Sequence, residues 1–299
     1  MYLLPPPLKP GDTIGIAAPA SSFDREAFAK GASQLSQMGF TLYVPEALFA
    51  GEGYFAGNDE HRAQLLMRLF LDETVKAVMC ARGGFGSPRV LPLLDYEAIR
   101  KHPKVLIGFS DITALLCAIT ERCGWVTFHG PMVLTLPATD ADSQRGLGAA
   151  LRSEFPLIIA PRDGVSLRPG VASGPVIGGN LTTVCHLLGT PYEPVWKGRI
   201  LFIEECGEAL YRIDRMLTHL KLAGCLDLLA GIVLGAFEGI ESVADVWRIV
   251  MSITRAATYP VAAGFPIGHG AQNMTIPMGM TAMLDAGEPA LIFKAGCAS

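Results

Sequence analysis

The chain has 299 residues, 50% hydrophobic and 17% charged, with 24 Lys and Arg against 28 Asp and Glu for a net charge of −4. That balance excludes a disordered chain, which needs low hydrophobicity and high net charge, and it argues against a nucleic-acid partner, which selects a basic surplus. The longest apolar run, about ten residues from Leu228 to Phe237 with two glycines inside it, falls short of the roughly 18 that a spanning helix needs, so no membrane partner is expected.

In chain order, Asp12–Ala18 is a short β-branched run, and Asp24–Met38 has helical period and stops at Gly39. Thr41–Val44 reads as a second strand. Asn58 is the expected N-cap of a helix with acids in its first turn. Thr74–Cys80 is a strand entering ARGGFGS, followed by a helix over Pro88–Lys101. Lys104–Phe109 is a strand, Asp111–Thr120 a helix, and Trp125–Phe128 a strand. Short apolar strands alternating with helices predict a parallel sheet covered on both faces, with its ligand site at the carboxyl ends of the strands. ARGGFGS and GFSD both fall at such ends.

From Pro137 to Gly174 the periodicity fades, and a linker is expected there. Beyond it, Gly179-Asn180 precedes a helix, and Arg199–Ile203 is a strand ending in Glu204-Glu205. Tyr211–Leu222 and Val243–Ala256 are helical. Gly231–Phe237 is a strand, and Val261–Ile267 leads into Gly268-His269. Met280–Leu284 and Ala290–Phe293 form a terminal hairpin.

Seven cysteines with no C-x-x-C pair read as buried free thiols of a reducing compartment, and no zinc signature appears. The first ten residues hold three consecutive prolines and no charged segment leading into an apolar one. No signal peptide is therefore expected, and the location is expected to be cytoplasmic.

Ser110 follows an apolar strand and opens a helix, the setting of a nucleophile elbow, although Gly108-Phe109-Ser110-Asp111-Ile112 lacks the closing glycine of G-x-S-x-G. A plain N-cap serine fits the same residues. A nucleophilic serine needs a base, and His129 and His269 are the histidines that follow strand-like runs. Glu204, Glu205 and Glu208 are the carboxylates that could orient one, Glu204 closing the strand RILFIE. In ARGGFGS the glycines suit a phosphate cradle, an oxyanion hole or a tight turn. The loop matches neither G-x-G-x-x-G nor the lysine-bearing P-loop.

Eight segments in order, LKPGDTIGIAAPAS, YFAGNDEHRAQLL, VKAVMCARGGFGSPRVL, LIGFSDITALL, FHGPM, ASGPVIGGNLTTVCHLLGTPY, ILFIEECGEALYRIDRML and GFPIGHGAQNMTIPMGMTAML, resemble the LD-carboxypeptidases. These are the muramoyltetrapeptide carboxypeptidase group of serine peptidases, to which the microcin C self-immunity peptidases also belong. The resemblance implies an α/β fold of two domains. A Rossmann-like parallel-sheet domain over residues 1–160 would carry the nucleophile, and a smaller β-rich domain over 174–299 would carry the acid and base. It puts the nucleophile at Ser110, the acid at Glu204 with Glu205 as the adjacent alternative, and the base at His269. The oxyanion donors fall on the backbone N–H groups of Gly84 and Asp111. In the microcin branch the Asn of GGN, here Asn180, contacts substrate. Phe85 stands where the family often has Tyr. The implied reaction removes terminal D-alanine from a murein tetrapeptide in peptidoglycan recycling, without metal or organic cofactor, in a homodimer. The alternative substrate is a peptide–nucleotide antibiotic. An exopeptidase must also hold a terminal carboxylate, and Arg82 is the candidate, with a structural ion pair as its other reading.

Overall fold

The computed structural model describes residues 2–294, so Cys297 lies outside the described residues. The strands are β1 Thr13–Ala17, β2 Thr41–Tyr43, β3 Val75–Cys80, β4 Val105–Gly108, β5 Thr127–His129, β6 Leu157–Ile159, β7 Val165–Arg168, β8 Val171–Asn180, β9 Ile200–Cys206, β10 Gly231–Glu238, β11 Val261–Ala263, β12 Ile276–Met278, β13 Thr281–Asp285 and β14 Ala290–Phe293. The helices are α1 Arg25–Gln37, α2 Asp59–Leu71, α3 Ser87–Val90, α4 Tyr96–Arg100, α5 Thr113–Cys123, α6 Ala141–Leu151, α7 Leu181–Leu187, α8 Leu210–Leu222 and α9 Val243–Ile253.

The α/β class holds. The first sheet runs β12-β5-β4-β3-β1-β2, with β1 to β5 parallel and β12 antiparallel on the edge beside β5. Its inner strands are apolar on both faces because helices cover both, whereas the edge strand β2 is largely exposed. Val78 and Cys80 of β3 pack on the side of α2 and α5, whereas Ala77 and Met79 pack on the side of α1 and α6. β1 lies between β2 and β3, so the chain reverses its winding at the β1/β3 boundary. The loops after β1 and β3 therefore open a crevice at the carboxyl edge, where α/β sheets bind ligands.

The second sheet runs β6-β14-β13-β8-β9-β10-β11-β7, parallel from β8 to β11 and antiparallel outside them. It is the β-rich part of the chain. The two sheets exchange strands: β6, from within residues 1–160, pairs with β14, and β12, from within 174–299, pairs with β5.

Local expectations fare unevenly. Asn58 caps α2 by accepting from the His61 N–H at 2.8 Å, and α1 stops before Gly39 at φ +92°. The single helix expected over Pro88–Lys101 is broken into α3, a 3-10 turn at Leu91–Leu93, and α4. Pro92 has no N–H for a continuous ladder, and Asp95 starts a new helix by accepting from Ala98 N–H at 2.9 Å. The expected linker over Pro137–Gly174 contains α6, β6, β7 and the start of β8. Gly146 and Gly148 dilute the apolar pattern of α6, but Leu147, Ala150 and Leu151 are buried and Asp140 caps the helix. Gly146 is small for a reason: a Cβ there would come 2.9 Å from the Met274 methyl.

Of the cysteines described, Cys80, Cys117, Cys123, Cys185 and Cys225 are buried and Cys206 is exposed, all as free thiols. No described helix is long and apolar enough to cross a membrane.

Candidate active site

β4 ends at Gly108, Phe109 is fully extended, and Ser110 turns the chain with φ +63° into a 3-10 turn that leads to α5. A positive φ on a non-glycine residue stores strain, and a sharp strand-to-helix turn projects the side chain above the sheet edge. The elbow is built differently from G-x-S-x-G. Ile112 occupies the closing position, and its side chain fills the space that Gly108 leaves, 2.7 Å from where a Cβ would be. Ser110 is not a helix N-cap, since α5 begins at Thr113.

The second sheet delivers the partners. Gly178 and Gly179 let β8 pass close to β9 and α5; a Cβ on Gly179 would lie 2.5 Å from Thr113 Oγ1, and the N–H of Asn180 donates to that oxygen at 3.1 Å. This approach carries the end of β9 toward the elbow. Side chains alternate along a strand, so Glu204 shares the face of Ile200 and Phe202, and Glu205 shares that of Leu201 and Ile203. Glu204 Oε2 accepts from His269 Nδ1 at 2.6 Å and from the His269 backbone N–H at 3.1 Å. Since the carboxylate can only accept, Nδ1 carries the proton and Nε2 presents its lone pair to Ser110 Oγ, 3.2 Å away. Glu205 faces α7. It accepts from Asn180 Nδ2, the N–H and hydroxyl of Thr182, and its neighbour's N–H at Cys206. Glu208 lies on the surface in an ion pair with Arg212.

Glu204 is fully buried and the His269 ring is 23% exposed. Burial, the largest single influence, pulls the His269 imidazole down. The hydrogen bond and charge of Glu204, joined by the charges of Glu205 and Glu238, outweigh it, and His269 stands above its ordinary value. The loop bearing His269 is held from behind. Gly268, at φ +117°, packs against Glu204, and its N–H donates to Asn273 Oδ1 at 3.1 Å, while the Asn273 N–H donates to buried Ser143 Oγ at 2.8 Å.

The glycine loop completes the elbow. A Cβ on Gly83 would sit 3.3 Å from Ser110 Oγ and 3.4 Å from the Asp111 nitrogen, so glycine leaves open the space between hydroxyl and N–H that a carbonyl oxygen would need. Gly84 turns at φ +102° against Ser21, whose hydroxyl accepts from Phe85 N–H at 3.1 Å. The side chain of Asp111 points back, accepting from Ser87 N–H at 2.8 Å. Burial raises its carboxyl above the usual range against the hydrogen bonds from Ser87 and Gly86 and the charge of Arg62. Arg82 is half-buried beside Gly84 and donates to Ser22 O at 3.1 Å; among the described residues no carboxylate pairs with it.

Ser110, Asp111, Gly83, Glu204 and His269 thus converge, and Gly84, the next residue in the glycine loop, packs against Ser21 and Arg82. Asn180 neighbours Glu204 in the sheet, but its amide turns to the α7 side. There Oδ1 caps the helix at Thr183 and Nδ2 donates to Glu205. His129, the other histidine considered as base, is fully buried, packed between the rings of Phe109 and Phe202 with neither nitrogen hydrogen-bonded, and burial together with the nearby His269 pushes it down to about 3. Ser87 and Asn273 carry no site signal in the sequence, whereas Gly83 is one of the ARGGFGS glycines that suit an oxyanion hole. Among the described residues no three His, Cys, Asp or Glu side chains gather as a metal site.

Residues 14–130 match the model of the LD-carboxypeptidase N-terminal domain, and residues 173–284 match that of the LD-carboxypeptidase C-terminal domain. The chain belongs to the LD-carboxypeptidase family. It is 37% identical to a probable murein peptide carboxypeptidase of Bacillus subtilis (strain 168), over 98% of this chain and 94% of that one. Among solved structures, an MccF-like protein from Bacillus anthracis superposes with a TM-score of 0.92 at 28% identity, covering 98% of this chain and all of the other (100%). A muramoyltetrapeptide carboxypeptidase from Oxalobacter formigenes superposes with a TM-score of 0.84 at 30% identity, covering 95% and 99%. Family membership makes the chain a carboxypeptidase-type hydrolase of the serine peptidase class, with relatives named as murein peptide carboxypeptidases.

Proposed function

We propose that this LD-carboxypeptidase family member hydrolyses the amide between the L-configured centre of a diamino acid and a terminal D-alanine in murein tetrapeptides, by way of an acyl-enzyme on Ser110. The observation that carries the reading is the line from Ser110 Oγ to His269 Nε2 at 3.2 Å and from His269 Nδ1 to Glu204 Oε2 at 2.6 Å. His269 takes the hydroxyl proton as the Ser110 oxygen bonds to the carbonyl carbon, and Glu204 stabilises the imidazolium that forms. The oxyanion is met by the N–H groups of Asp111 and Gly84, each such donor being worth about 2.7–4 kcal/mol. The C–N bond then breaks, the imidazolium proton goes to the leaving D-alanine, and water activated by His269 clears the ester. Arg82 is the proposed holder of the terminal carboxylate.

A two-unit organisation over 1–160 and 174–299 accords with the separate family matches, with β6 and β12 exchanged between the units. A cytoplasmic homodimer remains the reading that the family resemblance supports. The likeness to the MccF-like structure favours a second substrate, a peptide–nucleotide conjugate. Mass spectrometry of a murein tetrapeptide and of such a conjugate after incubation, side by side, tests both. Loss of one alanine from the tetrapeptide, abolished by Ser110→Ala, is the expected result. Turnover of the conjugate alone, or wild-type turnover by folded Ser110→Ala, overturns it.

A further inference from the structure

Arg62 lies on the apolar stripe of α2 with Leu65, Leu66 and Leu69, and its side chain is 0% exposed. A guanidinium is costly to bury unless its donors are used. Here Nε donates to Gly57 O at 3.0 Å, and Nη1 donates to Gly86 O at 2.9 Å and to Pro19 O. Nη2 pairs with Asp59, and the Phe55 ring lies 4.7 Å from the guanidinium carbon. These three carbonyls belong to three separate segments, two of them the loops after β1 and β3 that flank the crevice. Gly86, at φ +138°, admits the contact because a Cβ there would fall 2.8 Å from Nη1.

The next residue is fastened to the elbow itself: Ser87 N–H donates to Asp111 Oδ2 at 2.8 Å and Ser87 Oγ to Asp111 O at 2.5 Å. The stretch from Gly83 to Ser87 is therefore pinned at its far end, at Gly86 by Arg62 and at Ser87 by Asp111, while Ser21 holds its near end through Gly83 O and Phe85 N–H, and Gly83 lies beside the Ser110 hydroxyl. The planar fork spreads five donors over three nitrogens, whereas an ammonium gathers three at one atom and cannot serve the Nε, Nη1 and Nη2 partners from their separate positions.

We propose that Arg62 is a positioning residue for acyl transfer, its buried guanidinium fixing the Gly83–Ser87 backbone at the distance from Ser110 where its N–H groups meet the oxyanion. The inference rests on the Ser110 acyl-enzyme reading above. Arg62→Lys keeps the charge and loses the fork. Misplacing catalytic groups by about 1 Å costs up to about 100-fold, so kcat should fall about 10- to 100-fold with KM changed less than about 3-fold.

The deciding measurement is affinity for a peptide boronate that forms a tetrahedral adduct on Ser110. It should weaken by the same factor as kcat. Binding of intact tetrapeptide, compared between Ser110→Ala and Ser110→Ala/Arg62→Lys, should stay nearly constant. Wild-type kcat in Arg62→Lys, or a fall in kcat with boronate affinity unchanged, overturns the proposal. If wild type itself binds no boronate, the acyl-enzyme reading fails first and this inference with it. Should Arg62→Lys not fold, Asp59→Asn, which removes the anionic anchor of Nη2 together with the exposed ion pair to Arg89, must still lower kcat and boronate affinity together, whereas Arg89→Gln, which breaks that ion pair alone, leaves both near wild type; unchanged values in Asp59→Asn refute the role.

Discussion

Replacing Glu204 by Gln probes the step on which the proposed relay depends. A Gln oxygen in the place of Oε2 can still accept from the His269 N–H and from Nδ1–H, so the ring orientation survives and the charge alone is removed. With charge centres about 4 Å apart and an effective dielectric of about 20, the carboxylate favours the imidazolium by up to ~4 kcal/mol. Access of water to the partly exposed ring trims this to about 2–4 kcal/mol, or about 30- to 1,000-fold in kcat. The pH profile gives the second reading. His269 must be neutral to act as base, so wild-type kcat/KM should fall on the acid side with an apparent pKa above the ordinary imidazole value of about 6.5. Without the Glu204 charge, burial acts with less opposition and the acid limb moves to lower pH. Glu205→Gln, by contrast, disturbs a carboxylate that holds the start of α7. It should lower stability by about 1.5–3 kcal/mol while kcat stays within about tenfold. Steady-state kinetics across the pH range, with urea unfolding of both variants, provide the assay. An unmoved acid limb in Glu204→Gln, or a greater loss of kcat in Glu205→Gln, would refute the assignment.

Other expectations follow from the same geometry. Gly83→Ala places a methyl between the Ser110 hydroxyl and the Asp111 N–H, so kcat/KM should fall at least about 100-fold with an unchanged melting temperature; near-normal turnover would mean that the oxyanion does not form there. Asn180→Ala removes a helix cap and a ligand of Glu205. The expected loss is about 1–3 kcal/mol of stability with kcat/KM within about tenfold, and a large rise in KM at unchanged stability would instead make Asn180 a substrate contact. His129 resists protonation when folded, so the unfolded chain binds more protons as pH drops from about 6.5 toward about 3, and stability falls with acid at up to ~1.4 kcal/mol per pH unit. In urea titrations His129→Leu should flatten that slope, and equal slopes would contradict the burial argument. His269 contributes in the opposite sense: its raised value adds stability below about pH 6.5 that is lost as pH rises through the folded-state pKa. Chelator treatment should leave the rate unchanged, whereas a loss restored by zinc would refute the serine mechanism.

Local chemistry made much of this protein legible from its residues alone. Apolar runs separated by amphipathic stretches specify a parallel sheet with two covered faces, and the GFSD and ARGGFGS segments fall at its carboxyl edge because that is where such strands end. The cap at Asn58 and the stop at Gly39 are properties of single residues. Where glycine dilutes a pattern, as in α6, the helix became visible only through the surface it packs against. The choice between Glu204 and Glu205 was likewise beyond reach of spacing, since adjacent residues on a strand face opposite ways and only the position of the His269 loop says which face is chemical. The same holds for Asn180, whose amide the fold directs to α7, and for Arg62, a charge inside an apolar stripe whose partners are carbonyls on three distant segments. Sequence sets which groups are available and which elements they ride on. Which of them meet depends on long-range packing, here the passage of two glycines of β8 against β9 and α5, through which one half of the chain presents its imidazole to the hydroxyl of the other.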